Sequence, residues 1–385
     1  MFPARTWDIF CTVVDNYGDI GVCWRLARQL AAEQGQQVRL WVDDLASFHR
    51  LCPELDPTQP QQSCHGVEVR HWCSPFPDIS PTEVVVEAFG CELPANYLAA
   101  MASRQPKPAW VNLEYLSAED WVTGCHGMAS PHPRLPLTKY FFFPGFVPGT
   151  GGLPVEGDLM QQRDALQQDN AAQVEFWQTL CLQPPLNNEL RISLFCYGGQ
   201  HIAGLFDAWA TGATPVTCLI AEGPVLQAVA AYFGLPGLKP DNQAQRGNLD
   251  IHVLPFLEQD IYDRLLWACD CNFVRGEDSF VRAQWAARPM VWQAYPQQAG
   301  THLVKLQAFL DIYGAGLPQQ EADALHNCWL AWNQNRLEAV QWWNFWQHRP
   351  ALQAHAARWA DGLLRHPAHG GNLALNLVQF VQDKL

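Results

Sequence analysis

Short apolar runs of strand length alternate with helix-period segments in two separate series along this chain, and few architectures accommodate that pattern. In the first series, residues 7–14 form an apolar run and Asp15 to Gly21 supply turn chemistry. Residues 22–33 then carry Val22, Leu26 and Leu30 at helical spacing, ended by Gly35. Further strands are expected at 38–42, 67–72, 83–88 and 110–116. The second series places strands at 190–197, 214–221, 249–256, 271–274 and 290–293. Helices at 225–233, 260–268, 279–287 and 301–313 alternate with most of them. Such βα repetition implies parallel sheets, whose functional groups collect at the carboxyl ends of the strands. The expected fold class is therefore α/β: two Rossmann-like, doubly wound domains facing a cleft, followed by C-terminal helices.

The stretches between and after the two series complete the expected layout. Residues 131–152, rich in Pro and Gly around Tyr140-Phe141-Phe142-Phe143, read as an ordered irregular loop closing the first domain. A polar helix over 158–180 stops before Pro184-Pro185. The Trp-rich tail is helical and ends in a helix at 372–384. Domain bounds of 1–155, 189–360 and 361–385 follow, with 156–188 as linker and helix, and the last segment packs back on the N-terminal domain.

Composition narrows the function. With 38 acidic against 24 basic residues the net charge is −14, which argues against a nucleic-acid binder, since phosphate neutralisation needs Lys and Arg. It leaves room for a basic partner. No apolar run reaches the ~18 residues that cross a bilayer, and the first residues lead directly into a strand-like run without a leader pattern. The 13 Cys contain no CxxC and read as reduced, mostly buried thiols of a cytoplasmic protein. Cys64, His65, His71 and Cys73, or Cys125 with His126, do not match a zinc spacing, so no metal site is expected.

Three clusters could carry chemistry. Asp15-Asn16-Tyr17-Gly18-Asp19-Ile20-Gly21 places two carboxylates in one turn after the first strand. One reading makes Asp15 an Asx-turn residue and Asp19 a helix cap. The other makes them a pair that orients or deprotonates a cationic nucleophile. The turn is not GxGxxG, which disfavours a dinucleotide oxidoreductase, and no GxxxxGK[ST] is present. Second, Arg275-Gly276-Glu277-Asp278-Ser279-Phe280 follows a strand and opens a helix, a setting suited to a diphosphate. Glu277 or Asp278 could accept from a sugar hydroxyl there, although Asp278 could simply be a cap. Third, Phe195-Cys196-Tyr197-Gly198-Gly199 ends the first strand of the second series, where its aromatics could stack on a base. Gln259 and Tyr262 follow another strand end and could hold a nucleobase; core packing is the alternative for each.

Four segments together resemble the EarP family of protein-arginine rhamnosyltransferases, which modify translation elongation factor P. They are Asp15 to Val22, Phe89-Gly90-Cys91-Glu92-Leu93-Pro94, Asn112 to Glu119, and Phe273 to Trp285, and the likeness extends along nearly the whole chain. The resemblance implies a GT-B fold with an acceptor-side first domain and a donor-side second domain. It implies inverting transfer of L-rhamnose from dTDP-β-L-rhamnose to an arginine guanidine of elongation factor P, without a cofactor or metal. By the same likeness Asp19 is the general base and Asp15 its partner acid. Asn16, Tyr17, Gly18, Phe195, Tyr197, Gln259, Tyr262, Arg275, Glu277, Asp278 and Ser279 fall at donor-site positions. Tyr17 and Tyr262 stand where relatives can carry Phe, which preserves an aromatic ring. A nucleotide-sugar epimerase, or a GT-B transferase with another acceptor, is the alternative enzyme. A non-catalytic binding module would leave the acid pairs and glycine turns unexplained.

Overall fold

A computed structural model describes residues 3–14, 17–199, 201–297, 300–365 and 370–385. The chain divides into two compact units, Met1–Gly157 with Leu363–Leu385, and Asp158–Gly362.

The first unit runs β1 (Thr6–Cys11), α1 (Gly18–Ala32), β2 (Gln37–Val42), α2 (Leu45–Leu51), β3 (Gln61–Cys64), β4 (Val67–His71) and β5 (Val84–Ala88). It continues through α3 (Ala95–Ser103), β6 (Ala109–Leu113), α4 (Trp121–Cys125), β7 (Ala129–Pro131) and β8 (Thr138–Phe142). Its sheet has the order β3-β4-β2-β1-β5-β6-β8-β7, parallel except for the edge strands β3 and β7. Every residue of β5 and β6 is buried, as expected for parallel strands covered on both faces. One face is filled by Phe10, Trp41, Tyr97, Met101 and Trp110, with Phe10 and Trp41 stacked at 5.8 Å.

The 131–152 expectation is corrected here: Tyr140, Phe141 and Phe142 of the aromatic run lie in β8, which pairs with β6. Glycines and prolines around it obscured a strand only five residues long. Lys139 in β8 reaches Glu87 in β5 at 3.2 Å, so a charged pair sits within the sheet. The last stretch of this part of the chain meets the C-terminal helix directly. Leu153 bridges Asn372, and a Cβ at Gly152 would lie 2.2 Å from the Gly371 carbonyl oxygen, so only glycine fits.

The second unit opens with α5 (Leu159–Gln168) and α6 (Asn170–Thr179). The helix expected over 158–180 is thus two helices. Asp169 ends the first and caps the second, its carboxylate accepting from Ala171 N at 2.8 Å. Then come β9 (Leu190–Leu194), α7 (Ala203–Thr211), β10 (Val216–Ala221), α8 (Leu226–Phe233), β11 (Gln243–Arg246), β12 (Leu249–Leu254), α9 (Gln259–Ala268), β13 (Cys271–Arg275), α10 (Asp278–Trp285) and β14 (Met290–Gln293). The sheet order is β11-β12-β10-β9-β13-β14, with β11 the antiparallel edge. Helices α11 (Thr301–Gly314), α12 (Gln319–Asn333), α13 (Ala339–Gln347) and α14 (Arg349–Arg365) follow, and α15 (Leu373–Gln382) belongs to the first unit. The Trp-rich tail is largely core: Trp329, Trp332 and Trp342 are fully buried, and Trp329 Nε1 donates to the Met290 carbonyl at 2.7 Å.

Candidate active site

Each sheet has one place where the chain changes winding direction, and the described residues of the three sequence clusters lie at these two places. In the first unit, β1 continues to β2 on one side while β5 takes the other side. Helix α1 starts at this switch point, where α/β folds gather their ligands. Asp15 and Asn16 lie outside the described residues. Tyr17 occupies the N-cap position and Gly18 is the first helical residue, so Asp19 is not the cap; it sits inside the first turn. It is 5% exposed. The partial positive charge of a helix N-terminus favours a carboxylate in that turn. Hydrogen bonding to Cys23, then burial, holds the Cys11 thiol well above its ordinary range, and the neighbouring Asp19 and Asp43 charges add to this. Asp19 therefore lies within electrostatic reach of the β1 end. The Tyr17 hydroxyl accepts from Arg50 Nη1 at 3.1 Å.

The adjacent strand ends of this unit add groups that the residue reading gave no role. Phe89, after β5, stacks on Tyr115 at 4.5 Å, and Tyr115 is 43% exposed. Glu114, after β6, accepts from the Asn112 amide. Burial first, and then Glu87, raises its pKa against the opposing Lys139. These residues lay within the segments that carry the family resemblance, but their side-chain meeting depends on β5–β6 register, which the sequence does not display.

In the second unit, the switch point is between β9 and β13, since β9 leads to β10 and β12 on one side and β13 to β14 on the other. Here the structure gathers most of the residues singled out in the sequence. The Arg275 guanidinium lies 4.3 Å from the Phe195 ring centre and 4.6 Å from that of Tyr197. Its Nη1 donates to the Cys196 carbonyl at 3.3 Å. Phe195 meets Tyr262 edge to face at 6.0 Å. Gln259 Nε2 donates to Asp278 Oδ2 at 3.3 Å, which ties the start of α9 to the start of α10. The Ser279 hydroxyl donates to the Arg275 carbonyl and accepts from Arg275 N–H at 3.2 Å. Burial, then the Asp278 charge, pushes the Tyr262 hydroxyl far above its usual range, so it stays a neutral donor.

Glu277 is the N-cap of α10, and Asp278 is the first helical residue rather than the cap. Gly276, between Arg275 at the end of β13 and Glu277, turns the chain with φ +64°, and a Cβ there would sit 3.2 Å from the Tyr197 hydroxyl. A helix N-terminus, a guanidinium and two aromatic faces thus converge on one spot, an arrangement suited to a diphosphate joined to a base. Two residues of this cluster escaped the sequence reading. Gln293 Oε1 accepts from Tyr197 N–H at 2.8 Å, and Tyr295 packs edge-on to Tyr197 at 5.3 Å. Only the β13–β14 pairing, which sets Arg275 opposite Gln293, brings them in.

Among the described residues, Cys64 and His65 meet a third residue, Cys52. No helix among the described residues is long and apolar enough to cross a membrane.

Two doubly wound, largely parallel sheets followed by terminal helices make up the GT-B fold. The same fold is seen, at 8% identity and a TM-score of 0.53, in a UDP-glucosyltransferase from Polygonum tinctorium. It is also seen, at 10% and 0.51, in the UDP-GlcNAc 2-epimerase of Neisseria meningitidis. Residues 7–382 match the family model described as elongation factor P (EF-P) rhamnosyltransferase EarP. The chain is 49% identical over 380 residues to the protein-arginine rhamnosyltransferase of Pseudomonas putida (99% of each covered), and 48% identical to that of Pseudomonas aeruginosa (99% of this chain, 100% of the other). A solved structure described as the basis for EarP-mediated arginine glycosylation of elongation factor EF-P matches at 38% identity and a TM-score of 0.70, covering 99% of this chain and 100% of that one. The chain belongs to the EarP family of protein-arginine rhamnosyltransferases.

Proposed function

We propose that this enzyme transfers L-rhamnose from dTDP-β-L-rhamnose to an arginine guanidine of translation elongation factor P, with inversion at the sugar carbon. The observation that carries this reading is the Arg275 cluster at the β9–β13 switch point. Arg275 lies against both Phe195 and Tyr197, beside the α10 N-terminus. In this reading the guanidinium and helix N-terminus hold the diphosphate, and the aromatic faces and Gln259 hold the thymine. Glu277 and Asp278 accept from the sugar hydroxyls. Asn16, Tyr17 and Gly18 belong to the donor site in the same reading. The scheme uses no metal or other cofactor.

An arginine side chain is a poor nucleophile, since its pKa exceeds ~12 and its charge spreads over three nitrogens. Asp19 and Asp15 offset this by pairing with the guanidinium and localising density on one terminal nitrogen. That nitrogen forms a bond to the anomeric carbon as the bond to the diphosphate oxygen breaks. The nitrogen's proton passes to the Asp19 carboxylate, and dTDP leaves with its charge held by Arg275 and α10. The buried position of Asp19 in the first turn of α1 supports the base assignment.

Incubation with dTDP-β-L-rhamnose and purified elongation factor P, followed by intact-mass and fragment analysis, tests the reading. The expected product carries one deoxyhexosyl group on an arginine. An unmodified acceptor with altered or hydrolysed donor would instead indicate an epimerase or hydrolase.

A further inference from the structure

We propose that Cys52, Cys64 and His65, with Glu54, form a binding site for one divalent cation of the zinc class, separate from the transfer chemistry. Cys52 follows α2, Cys64 ends β3, and His65 begins the turn into β4. The Cys52 and Cys64 sulfurs lie 3.0 Å apart. One donor atom from each of Cys52, Cys64 and His65 falls within 4.8 Å of the others. Glu54 Oε2 is 3.8 Å from Cys64 Sγ and 3.5 Å from His65 Nε2. Two thiolates, one imidazole and one carboxylate make up a tetrahedral zinc donor set.

The geometry needs little adjustment. Two thiolates on a tetrahedral zinc with bonds of about 2.3 Å lie roughly 3.8 Å apart, so the sulfurs would separate by somewhat under 1 Å. Neighbouring residues of a strand point to opposite faces. Here the left-handed backbone at His65 (φ +46°) and Gly66 (φ +78°) breaks that alternation, and residues 64 and 65 converge. The Trp24 ring meets the His65 imidazole edge to face at 5.8 Å and orients it. The thiols form a buried floor, at 3% and 6% exposure, while His65 and Glu54 sit at the solvent side, where an ion can enter. On binding, both thiols release their protons to solvent and the imidazole stays neutral. The ion would fasten the end of α2 to the β3–β4 hairpin at one edge of the first sheet. Eleven residues separate the two cysteines, which is why no familiar ligand spacing announces the site. A disulfide is the competing fate of the thiol pair. It needs an external oxidant and leaves the convergence of His65 and Glu54 unexplained.

The test is titration of the reduced full-length chain with Co²⁺, read by absorption. The expected result is one equivalent bound with a thiolate-to-cobalt charge-transfer band and tetrahedral d–d bands, bleached by Zn²⁺. Cys64→Ser should abolish the charge-transfer band, and Cys73→Ser, an exposed thiol outside the cluster, should not. The solvent-facing variants His65→Ala and Glu54→Gln keep the test independent of folding, and each should weaken Co²⁺ binding at least about tenfold. A spectrum without thiolate bands would overturn the proposal, as would bands undiminished in Cys64→Ser. So would isolation of the chain with a Cys52–Cys64 disulfide, two hydrogens lighter and unable to take up the metal.

Discussion

Asp19 combines two requirements that rarely coincide in a surface turn: a carboxylate withdrawn from water, and a backbone field that favours its charge. If it takes the guanidinium proton, Asp19→Asn keeps the size and shape but loses the charge and the base. Transfer in single-turnover assays should fall by about 10²–10⁴-fold, the usual share of general-base catalysis. Donor affinity should stay within about twofold, because the change touches no donor contact. Activity near that of the parent enzyme would remove Asp19 from the base role. Glu277 answers to the opposite test. Deleting a charged hydrogen-bond acceptor costs about 1.5–3 kcal/mol, so Glu277→Ala should weaken dTDP-rhamnose binding roughly 10- to 100-fold in calorimetry. Unchanged donor affinity would take Glu277 out of the donor site. At this scale the sequence was most legible where the clustered residues are contiguous, as in Arg275 to Ser279. Gln293 and Tyr295 were not legible, because nothing in their own neighbourhood marks them until β14 is laid beside β13.

Between elements, position is held by buried polar links that leave no periodic trace. Arg282 in α10 and Asp263 in α9 form a two-pronged pair, Nε–Oδ1 at 3.0 Å and Nη2–Oδ2 at 2.6 Å, with side chains 1% and 4% exposed. The pair fixes the two helices whose N-termini carry Gln259 and Asp278. Asp263→Ala removes the carboxylate paired with this buried guanidinium and should cost about 3–5 kcal/mol, read as a lower denaturation midpoint. Replacing both partners with apolar residues of similar volume should recover most of that loss. If the single variant unfolds at the parent midpoint, water or another group supplies the missing partner. The same scale explains what pattern reading could not see. The central strands β1, β5, β9 and β13 are five or six residues long and almost wholly buried, and they were expected, with only their ends misjudged. The antiparallel edges β3, β7 and β11 are three or four residues long, and none is an apolar run. An edge strand buries little, so its sequence is shaped by turns and solvent rather than by alternation. The break at Asp169 has a similar origin, since a local cap outweighed a helical composition that runs on either side of it.

Over the whole molecule, the net charge of −14 sets a field that no single contact reports. A protein acceptor that presents an arginine brings at least one positive charge to the encounter, and complementary fields raise association rates. Salt shortens the reach of that attraction, from about 30 Å at 0.01 M to about 8 Å at 0.15 M. The charge-assisted contacts within the Arg275 cluster, by comparison, are half-buried and span only a few ångströms, so they are screened much less. Raising ionic strength across that range should therefore lower kcat/KM for the protein acceptor by about tenfold, in keeping with steered association. kcat and the donor KM should change by less than about twofold, because chemistry and donor binding occur at close range. A short arginine peptide supplies the control. Lacking an extended charged surface, it should show a much shallower salt dependence than the folded acceptor. If both acceptors respond alike, the acidity of this chain serves solubility rather than encounter, and acceptor selection rests on contacts near the Asp19 turn alone.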